Sequence, residues 1–194
     1  MVSDLVIRPE QDEDHDAVRE VHRRAFGAEI VATLADALRA APAPLAPIGL
    51  VAEADVAGTG TGVIGHALLS ASRLDTRDRL VDVFVLSPLG VLPGSQRLGT
   101  GTRLLRAALE AADARGVPLV FLEGSPAYYG ARGFERADTL DFRSPSLRIP
   151  PPAFQVARLS AYQPWMTGTL VYSETFWALD CVGLRRPGRA GKAA

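Results

Sequence analysis

The sequence is poor in the side chains that build disulfides and metal sites. Its 194 residues include a single cysteine, Cys181, so no disulfide can form within the chain. Three histidines, at positions 15, 22 and 66, are not grouped like metal ligands, and neither a CxxC nor an HExxH motif occurs. We therefore expect no bound metal, and we expect Cys181 to be a packed, inert thiol.

An excess of charge and long apolar runs are also missing. The formal net charge is −1, so the chain has no general attraction to nucleic acid or to an anionic membrane surface. No run approaches the ~20 apolar residues of a membrane helix. The charged N-terminus lacks the apolar core of a secretory signal peptide. These absences predict a cytoplasmic protein with neither nucleic acid nor a membrane as a partner.

Apolar residues make up 47% of the chain, which is enough for a sizeable core at this length. We predict one domain over residues 1–160. Residues 161–184 still carry large apolar side chains, which a disordered segment would not. We therefore expect a packed C-terminal extension of the same domain, which covers the fold or contacts a second copy in a homodimer. The polar segment 185–194 is expected to be a disordered tail.

The clearest functional pattern runs from Val83 to Gly116. The letters VFVL predict a strand and PGSQRLGTG a turn, and the apolar residues that follow at helical spacing predict a helix beginning near Leu98. The free N–H groups at the start of such a helix, together with its dipole, attract an anion. Gly99 and Gly101 have no Cβ, so a phosphate can approach the backbone closely there.

Two common phosphate loops do not fit this turn. The Walker pattern requires a lysine where the sequence has Thr100, and the dinucleotide pattern requires a third glycine where it has Leu104. The glycines could instead only relieve packing at a helix start. The segment from Gln96 to Gly101, QRLGTG, resembles the pyrophosphate loop of the GCN5-related N-acetyltransferase (GNAT) superfamily, whose pattern is Q/R-x-x-G-x-G/A.

A second motif strengthens the resemblance. PAYYGARGF, from Pro126 to Phe134, resembles the Y-x-x-x-G-F signature that ends the coenzyme-binding half of that superfamily. Within it, the chain is similar to the YhbS-like predicted acetyltransferases, which share the YYxxxGF ending. The resemblance covers residues 5–137. It implies an enzyme that transfers an acetyl group from acetyl-CoA to a primary amine, and the alternative is a non-catalytic acyl-CoA-binding sensor or partner module.

Hydrophobic periodicity predicts an α/β (α+β) fold with a mixed, mostly antiparallel sheet and helices on its faces. The predicted strands cover residues 5–8, 48–56, 63–72, 80–92, 119–122, 134–142 and 154–159. The predicted helices cover residues 17–26 and 28–39, the central segment before Gly116, and a short turn at PAYYGA. The resemblance implies the GNAT fold, whose splayed central strands admit the pantetheine arm of the cofactor.

The resemblance also implies which residues bind acetyl-CoA. The pantetheine arm is expected to pair with strand backbone at Gly90 and Val91. Pro88 and Gly90 are poor strand formers, which predicts a bulge there. The resemblance implies that a backbone N–H at this bulge polarises the thioester oxygen. The expected pyrophosphate clamp consists of Gln96, Arg97, Leu98, Gly99, Thr100, Gly101 and Thr102.

The resemblance to the family motif implies that Tyr129 donates the proton that the leaving thiolate takes up. Tyr128 is expected to pack, although a shift of one residue would exchange the two roles. Glu123, at a strand end expected to face the cleft, is the candidate general base. Asp82, His66 and an ordered water are the alternatives.

Overall fold

The computed structural model describes residues 5–41, 44–56 and 60–183, and a nine-stranded mixed sheet forms its centre. The strands are β1 Val6–Pro9, β2 Ile48–Val56, β3 Gly60–Asp75, β4 Leu80–Val91, β5 Leu119–Glu123, β6 Glu135–Arg136, β7 Phe142–Arg143, β8 Phe154–Arg158 and β9 Gly168–Val171. The helices are α1 His15–Phe26, α2 Glu29–Ala40, α3 Thr100–Ala114, α4 Pro126–Tyr129 and α5 Glu174–Ala178. The predicted disordered tail, 185–194, lies outside the described residues.

The main path of the sheet runs β1-β2-β3-β4-β5-β8-β6, and the pairing of β4 with β5 is the parallel step in it. This step consists of two residue pairs, Phe84 with Val120 and Val85 with Phe121. Beyond it β4 continues to Val91 in the ladder with β3, so β4 and β5 diverge. The structure therefore confirms the predicted mixed sheet with splayed central strands.

A bulge interrupts β4 shortly after this divergence. Ser87 and Pro88 both stand opposite Leu68 of β3. The prediction placed Gly90 in the bulge as well, but Gly90 stays in register and pairs with His66. Its missing side chain has a different reason, because the space that a Cβ would fill is occupied by a helix side chain described below.

Helices cover both faces of the sheet. The buried side of α3 packs on one face through Leu104 and Leu105, and α2 packs on the other through Leu34 and Leu38. The residues after β8 complete this second core, with Met166, Leu170, Tyr172, Phe176 and Val182 all buried in it. No helix within the described ranges is long and apolar enough to cross a membrane.

The predicted strand over 134–142 is wrong. The segment contains the two-residue strand β6 and a short helical turn, Ala137–Leu140, which ends at Asp141 with φ +62°. β6 then pairs with β8, whereas β7 pairs with β9. The β-prone residues at the ends of the segment therefore belong to two separate ladders, which propensity alone does not separate.

Candidate active site

The turn after β4 leads directly into the N-terminus of α3. Gly99 precedes the helix with φ +90°, and Arg97 has φ +60°; glycine adopts such angles without steric cost. The N–H groups of Thr100, Gly101 and Thr102 have no carbonyl partner within the helix, because the first four helical N–H groups never do. The helix dipole adds positive potential at the same place. The turn can therefore hold an anion such as a phosphate.

Two side chains hold the turn in place. Gln96 Nε2 donates a hydrogen bond to the Val91 carbonyl at 3.0 Å, and the buried Thr100 hydroxyl donates to the Ser95 carbonyl at 3.4 Å. The amide of Gln96 thus ties the turn to the end of β4. Leu98, predicted to begin the buried helix face, is 53% exposed because the helix begins two residues later.

A cavity of about 480 Å³ lies against this turn and the end of β4. The structure brings together in its lining five of the predicted cofactor contacts, Gly90, Val91, Gln96, Arg97 and Gly101. The other predicted contacts belong to the same turn and the first turn of α3, namely Leu98, Gly99, Thr100 and Thr102. Phe26 and Arg132, which the sequence analysis did not identify, also line the cavity.

The two adjacent tyrosines have different surroundings. Tyr128 lines the cavity, and its hydroxyl lies 2.6 Å from the position that a Cβ on Gly101 would occupy. The Arg132 guanidinium lies 3.9 Å from the centroid of the Tyr128 ring. Tyr129, the predicted proton donor, packs edge-on against Phe134 with 5.8 Å between the ring centroids. Burial raises the pKa of Tyr129 to about 12, so its hydroxyl keeps its proton at neutral pH.

Glu123, the predicted general base, contacts the C-terminal extension. Its carboxylate accepts hydrogen bonds from the Tyr172 hydroxyl at 2.8 Å and from the Gly183 N–H at 3.1 Å. Its place in β5 puts it on the same face as Leu119 and Phe121, in the core opposite α3. Burial raises the pKa of this carboxyl despite both hydrogen bonds. The structure does not bring Glu123 together with the cavity residues.

The other two candidate bases occupy contrasting positions. Asp82 lies near the start of β4, half-exposed, with its carboxylate 3.7 Å from the Arg73 guanidinium. His66 is fully buried and pairs with Gly90 in the ladder between β3 and β4. Of the two, His66 is therefore paired with a residue of the cavity wall.

His66 belongs to a chain of buried polar side chains from four segments. Its Nδ1 lies 2.8 Å from Nε2 of His22 on α1, and its Nε2 lies 3.5 Å from Oε2 of Glu10, which follows β1. Glu10 accepts hydrogen bonds from Arg39 of α2 at 2.6 and 3.1 Å. The sequence analysis missed three of these residues because they are far apart along the chain. The available signal was a histidine on the buried stripe of α1.

Burial determines the protonation states of the two histidines in this series of polar side chains. Burial and the neighbouring His66 lower the pKa of His22 to about 3, and burial also lowers the pKa of His66. Burial acts to raise the pKa of Glu10, but His66 and Arg39 outweigh it and lower that pKa to about 2. At neutral pH two neutral imidazoles therefore stand beside an ionised carboxylate. Over 5–41, 44–56 and 60–183, no group of three or more His, Cys, Asp or Glu side chains is arranged to hold a metal ion.

Comparisons with known proteins agree with this geometry. A family model for an acetyltransferase (GNAT) domain matches residues 6–137. The curated Escherichia coli (strain K12) protein YjhQ, described as an uncharacterized N-acetyltransferase, is 32% identical over 126 residues. That match covers 63% of this chain and 65% of YjhQ, slightly less than two thirds of the relative.

Two solved structures resemble the chain over nearly its whole length. Escherichia coli YhbS, a GNAT family N-acetyltransferase solved in complex with CoA, has a TM-score of 0.75 and 28% identity and covers 89% of this chain and 91% of its own. A GNAT family acetyltransferase from Brucella melitensis, solved with acetyl-CoA, has a TM-score of 0.69 and 28% identity and covers 89% and 98%. The family predicted from the two motifs is confirmed, and the chain belongs to the GNAT acetyltransferases.

Proposed function

We propose that this protein transfers the acetyl group of acetyl-CoA to a primary amine. The observation that carries the proposal is the cavity at the end of β4, which joins an anion-binding turn to a strand that has diverged from its neighbour. The structural relatives YhbS and the Brucella melitensis enzyme were solved with CoA and acetyl-CoA respectively, which supports the same ligand here. The proposed acceptor is an amine of a small molecule or of a protein.

The residues of the turn fit the phosphate end of that ligand. Because Gly101 has no side chain, no Cβ fills the space beside the first turn of α3, and the Tyr128 hydroxyl lies there instead. The N–H groups of the first helical turn would hold the pyrophosphate, and Arg97 adds a positive charge at the cavity wall. The backbone at Gly90 and Val91 would align the pantetheine arm along β4.

Transfer requires a proton for the leaving thiolate. We assign that role to Tyr129 on the resemblance to the family motif; its raised pKa keeps the hydroxyl protonated at neutral pH and also makes it a weaker acid. Tyr128 is the competing donor because its ring lines the cavity. The leaving group demands little acid strength, since the pKa of a thiol is about 8.5.

A non-catalytic acyl-CoA-binding module is the second candidate, because the hydrogen bonds of Glu123 to the C-terminal extension leave the predicted base away from the cavity. The cytoplasmic location and the homodimer expected from the sequence also stay proposals.

The test is calorimetric titration of CoA and acetyl-CoA into the purified protein, followed by measurement of thiol release with a panel of primary amines. We expect binding of both ligands and release with at least one amine. Binding without release for any amine would favour the non-catalytic module. Absence of binding would refute the proposal, because the turn would then be only a helix start.

A further inference from the structure

We propose that His22 is the general base of the transfer, and that His66 and Glu10 hold it in the tautomer which a base requires. This inference rests on the acetyltransferase function proposed above. It concerns a side chain that the sequence motifs do not include.

The first observation is the position of one ring nitrogen. His22 is fully buried, and its Nδ1 has no hydrogen-bond partner among the residues that the structure describes. That atom lies 2.8 Å from the place where a Cβ on Gly90 would stand. Gly90 lines the cavity, as does Phe26, one helical turn after His22. The unpaired nitrogen therefore lies directly behind the cavity wall at Gly90, where no side chain separates the imidazole from the strand.

The second observation concerns which ring nitrogens of His22 and His66 carry protons. Nδ1 of His66 and Nε2 of His22 are 2.8 Å apart, so one must donate and the other accept. The neighbour of His66 on its other side is the Glu10 carboxylate, 3.5 Å from Nε2, which can only accept. The 3.5 Å separation is longer than a formed hydrogen bond, but the negative charge of the carboxylate favours a proton on Nε2 of His66, whose Nδ1 then accepts from Nε2–H of His22. The Nδ1 of His22 is left with a lone pair.

The carboxylate is held in its acceptor state by its own neighbours. Arg39 donates two hydrogen bonds to Glu10, and the carboxylate fills the space left by the missing side chain of Gly49. The charged and titratable groups facing the two imidazoles are Glu10, Arg39 and Asp14, in addition to each other. Burial keeps both imidazoles neutral at neutral pH, so the lone pair is available.

With a pKa of about 3 in the ligand-free protein His22 is a weak base, so it can take a proton only from a strongly acidic donor. The lone pair of the amine forms a C–N bond to the thioester carbonyl carbon, and the nitrogen becomes positively charged and strongly acidic. His22 Nδ1 takes a proton from that nitrogen, directly or through one water. The C–S bond breaks with its electron pair on sulfur, and the thiolate takes up the tyrosine proton. Both side chains then exchange protons with solvent, which restores the starting state.

Nε2 of His66 and the hydroxyls of Ser72 and Ser173 are also buried without a hydrogen-bond partner among the described residues, so what distinguishes His22 Nδ1 is its place beside the cavity wall. Buried polar atoms in proteins are nearly always hydrogen-bonded, because an unmade bond is costly. An orphaned acceptor beside a cavity is explained when a ligand supplies the donor.

The variants separate a catalytic role from a structural one. His22→Gln can place its amide nitrogen at the Nε2 position, so it keeps the hydrogen bond to His66 and loses only the basic Nδ1. Glu10→Gln tests the positioning chain, and its matched control is Asp36→Asn, because Asp36 also accepts a hydrogen bond from Arg39.

Thiol release is measured with the amine panel and with water as the acceptor, and CoA affinity is measured by calorimetry. We expect His22→Gln to lower kcat by about 10²-fold or more, with KM for acetyl-CoA and CoA affinity within about twofold. Glu10→Gln is expected to lower kcat less and to shift the pH profile, whereas Asp36→Asn changes neither. Wild-type kcat in His22→Gln would overturn the assignment.

A second readout does not depend on turnover. Nitrogen NMR of the protein labelled with ¹⁵N-histidine reports the protonation of each ring atom. We expect both imidazoles to be neutral at pH 7 with protons on Nε2, and the His22 Nδ1 signal to move when acetyl-CoA is added. A proton on His22 Nδ1 would overturn this inference even if acetyl-CoA binds, whereas a wild-type protein that fails to bind acetyl-CoA would refute the proposed function itself.

Discussion

The Nδ1 atom of His22 and the Cα of Gly90 are packed so closely that no side chain fits between them: a Cβ on Gly90 would come within 2.8 Å of the imidazole nitrogen. This relationship joins α1 to the strand that forms the cavity wall. It explains a glycine within an otherwise apolar strand without invoking a bulge.

Gly90→Ala should therefore be harmful. The added methyl group forces a buried imidazole to move, and overpacking of this kind costs about 1–3 kcal/mol of unfolding free energy. Urea denaturation measures the loss, and thiol release should fall as well. Gly62→Ala is the matched control, because Gly62 is also in a strand and a Cβ there meets nothing within 4 Å. Equal free energies of unfolding for the two variants would contradict the close contact between Gly90 and His22.

Gly101→Val should weaken CoA binding and leave the fold intact. A Cβ at this position would come within 2.6 Å of the Tyr128 hydroxyl, so it displaces that side chain and obstructs the N-terminus of α3. Calorimetry is expected to show at least tenfold weaker CoA binding, equivalent to about 1.4 kcal/mol. Gly94→Val is the control, because a Cβ on Gly94 meets nothing within 4 Å. Unchanged affinity in Gly101→Val would remove this turn from the binding site.

A pair of phenylalanine variants decides between the two tyrosines. If Tyr129 supplies the proton, Tyr129→Phe lowers kcat about 10²-fold or more while acetyl-CoA affinity changes little. Tyr128→Phe should mainly weaken binding, because the Tyr128 side chain lines the cavity. The reverse pattern of kcat and affinity would transfer the role to Tyr128.

The protein should lose stability on mild acidification. The folded state holds His22 at a pKa of about 3 and also lowers the pKa of His66, whereas a histidine in the unfolded chain titrates near 6.5. Below pH 6.5 the unfolded state therefore binds more protons, and the free energy of unfolding should fall by up to about 1.4 kcal/mol per pH unit for each histidine. Glu10, with a pKa of about 2, adds a loss of the same sign below about pH 4.5.

Urea unfolding at a series of pH values between 7 and 4 measures this slope. His22→Gln removes one of the two buried histidines, so its slope should be smaller than that of the wild type. A free energy of unfolding that stays constant over this range would show that the imidazoles are not held neutral.

Glu123 is expected to matter for stability more than for turnover. Tyr172→Phe removes a donor from a largely buried carboxylate and should cost about 1–3 kcal/mol in urea denaturation. Glu123→Gln should retain most of the thiol release of the wild type. A loss of 10²-fold in kcat would instead support the prediction from sequence that Glu123 is the base.

Local chemistry was enough to predict the turn before α3, whereas the divergence of β4 from β5 was expected only from the resemblance to the family. The Gln96–Gly101 segment determines its own conformation, and both motifs occur within short stretches of chain. Residues 134–142 could not be predicted in the same way, because β6 pairs with the distant strand β8 whereas β7 pairs with β9.

In the candidate active site, too, features set by local sequence could be predicted and features set by tertiary packing could not. Spacing identifies the YY pair but not which ring faces the cavity, since that depends on how α4 packs. The contact between His22 and His66 spans 44 residues in sequence and becomes visible only when α1 lies on the sheet.

The divergence of β4 from β5 has a further consequence for how the protein survives without its ligand. Two strands that separate inside a sheet create an internal edge, and strand edges readily capture other extended chains. A pantetheine arm bound along β4 would pair with its free backbone groups and cover this edge. A ligand that binds only the folded state raises the free energy of unfolding in proportion to the logarithm of its concentration. The cellular concentration of CoA would then affect how long the protein stays folded as well as how fast it turns over.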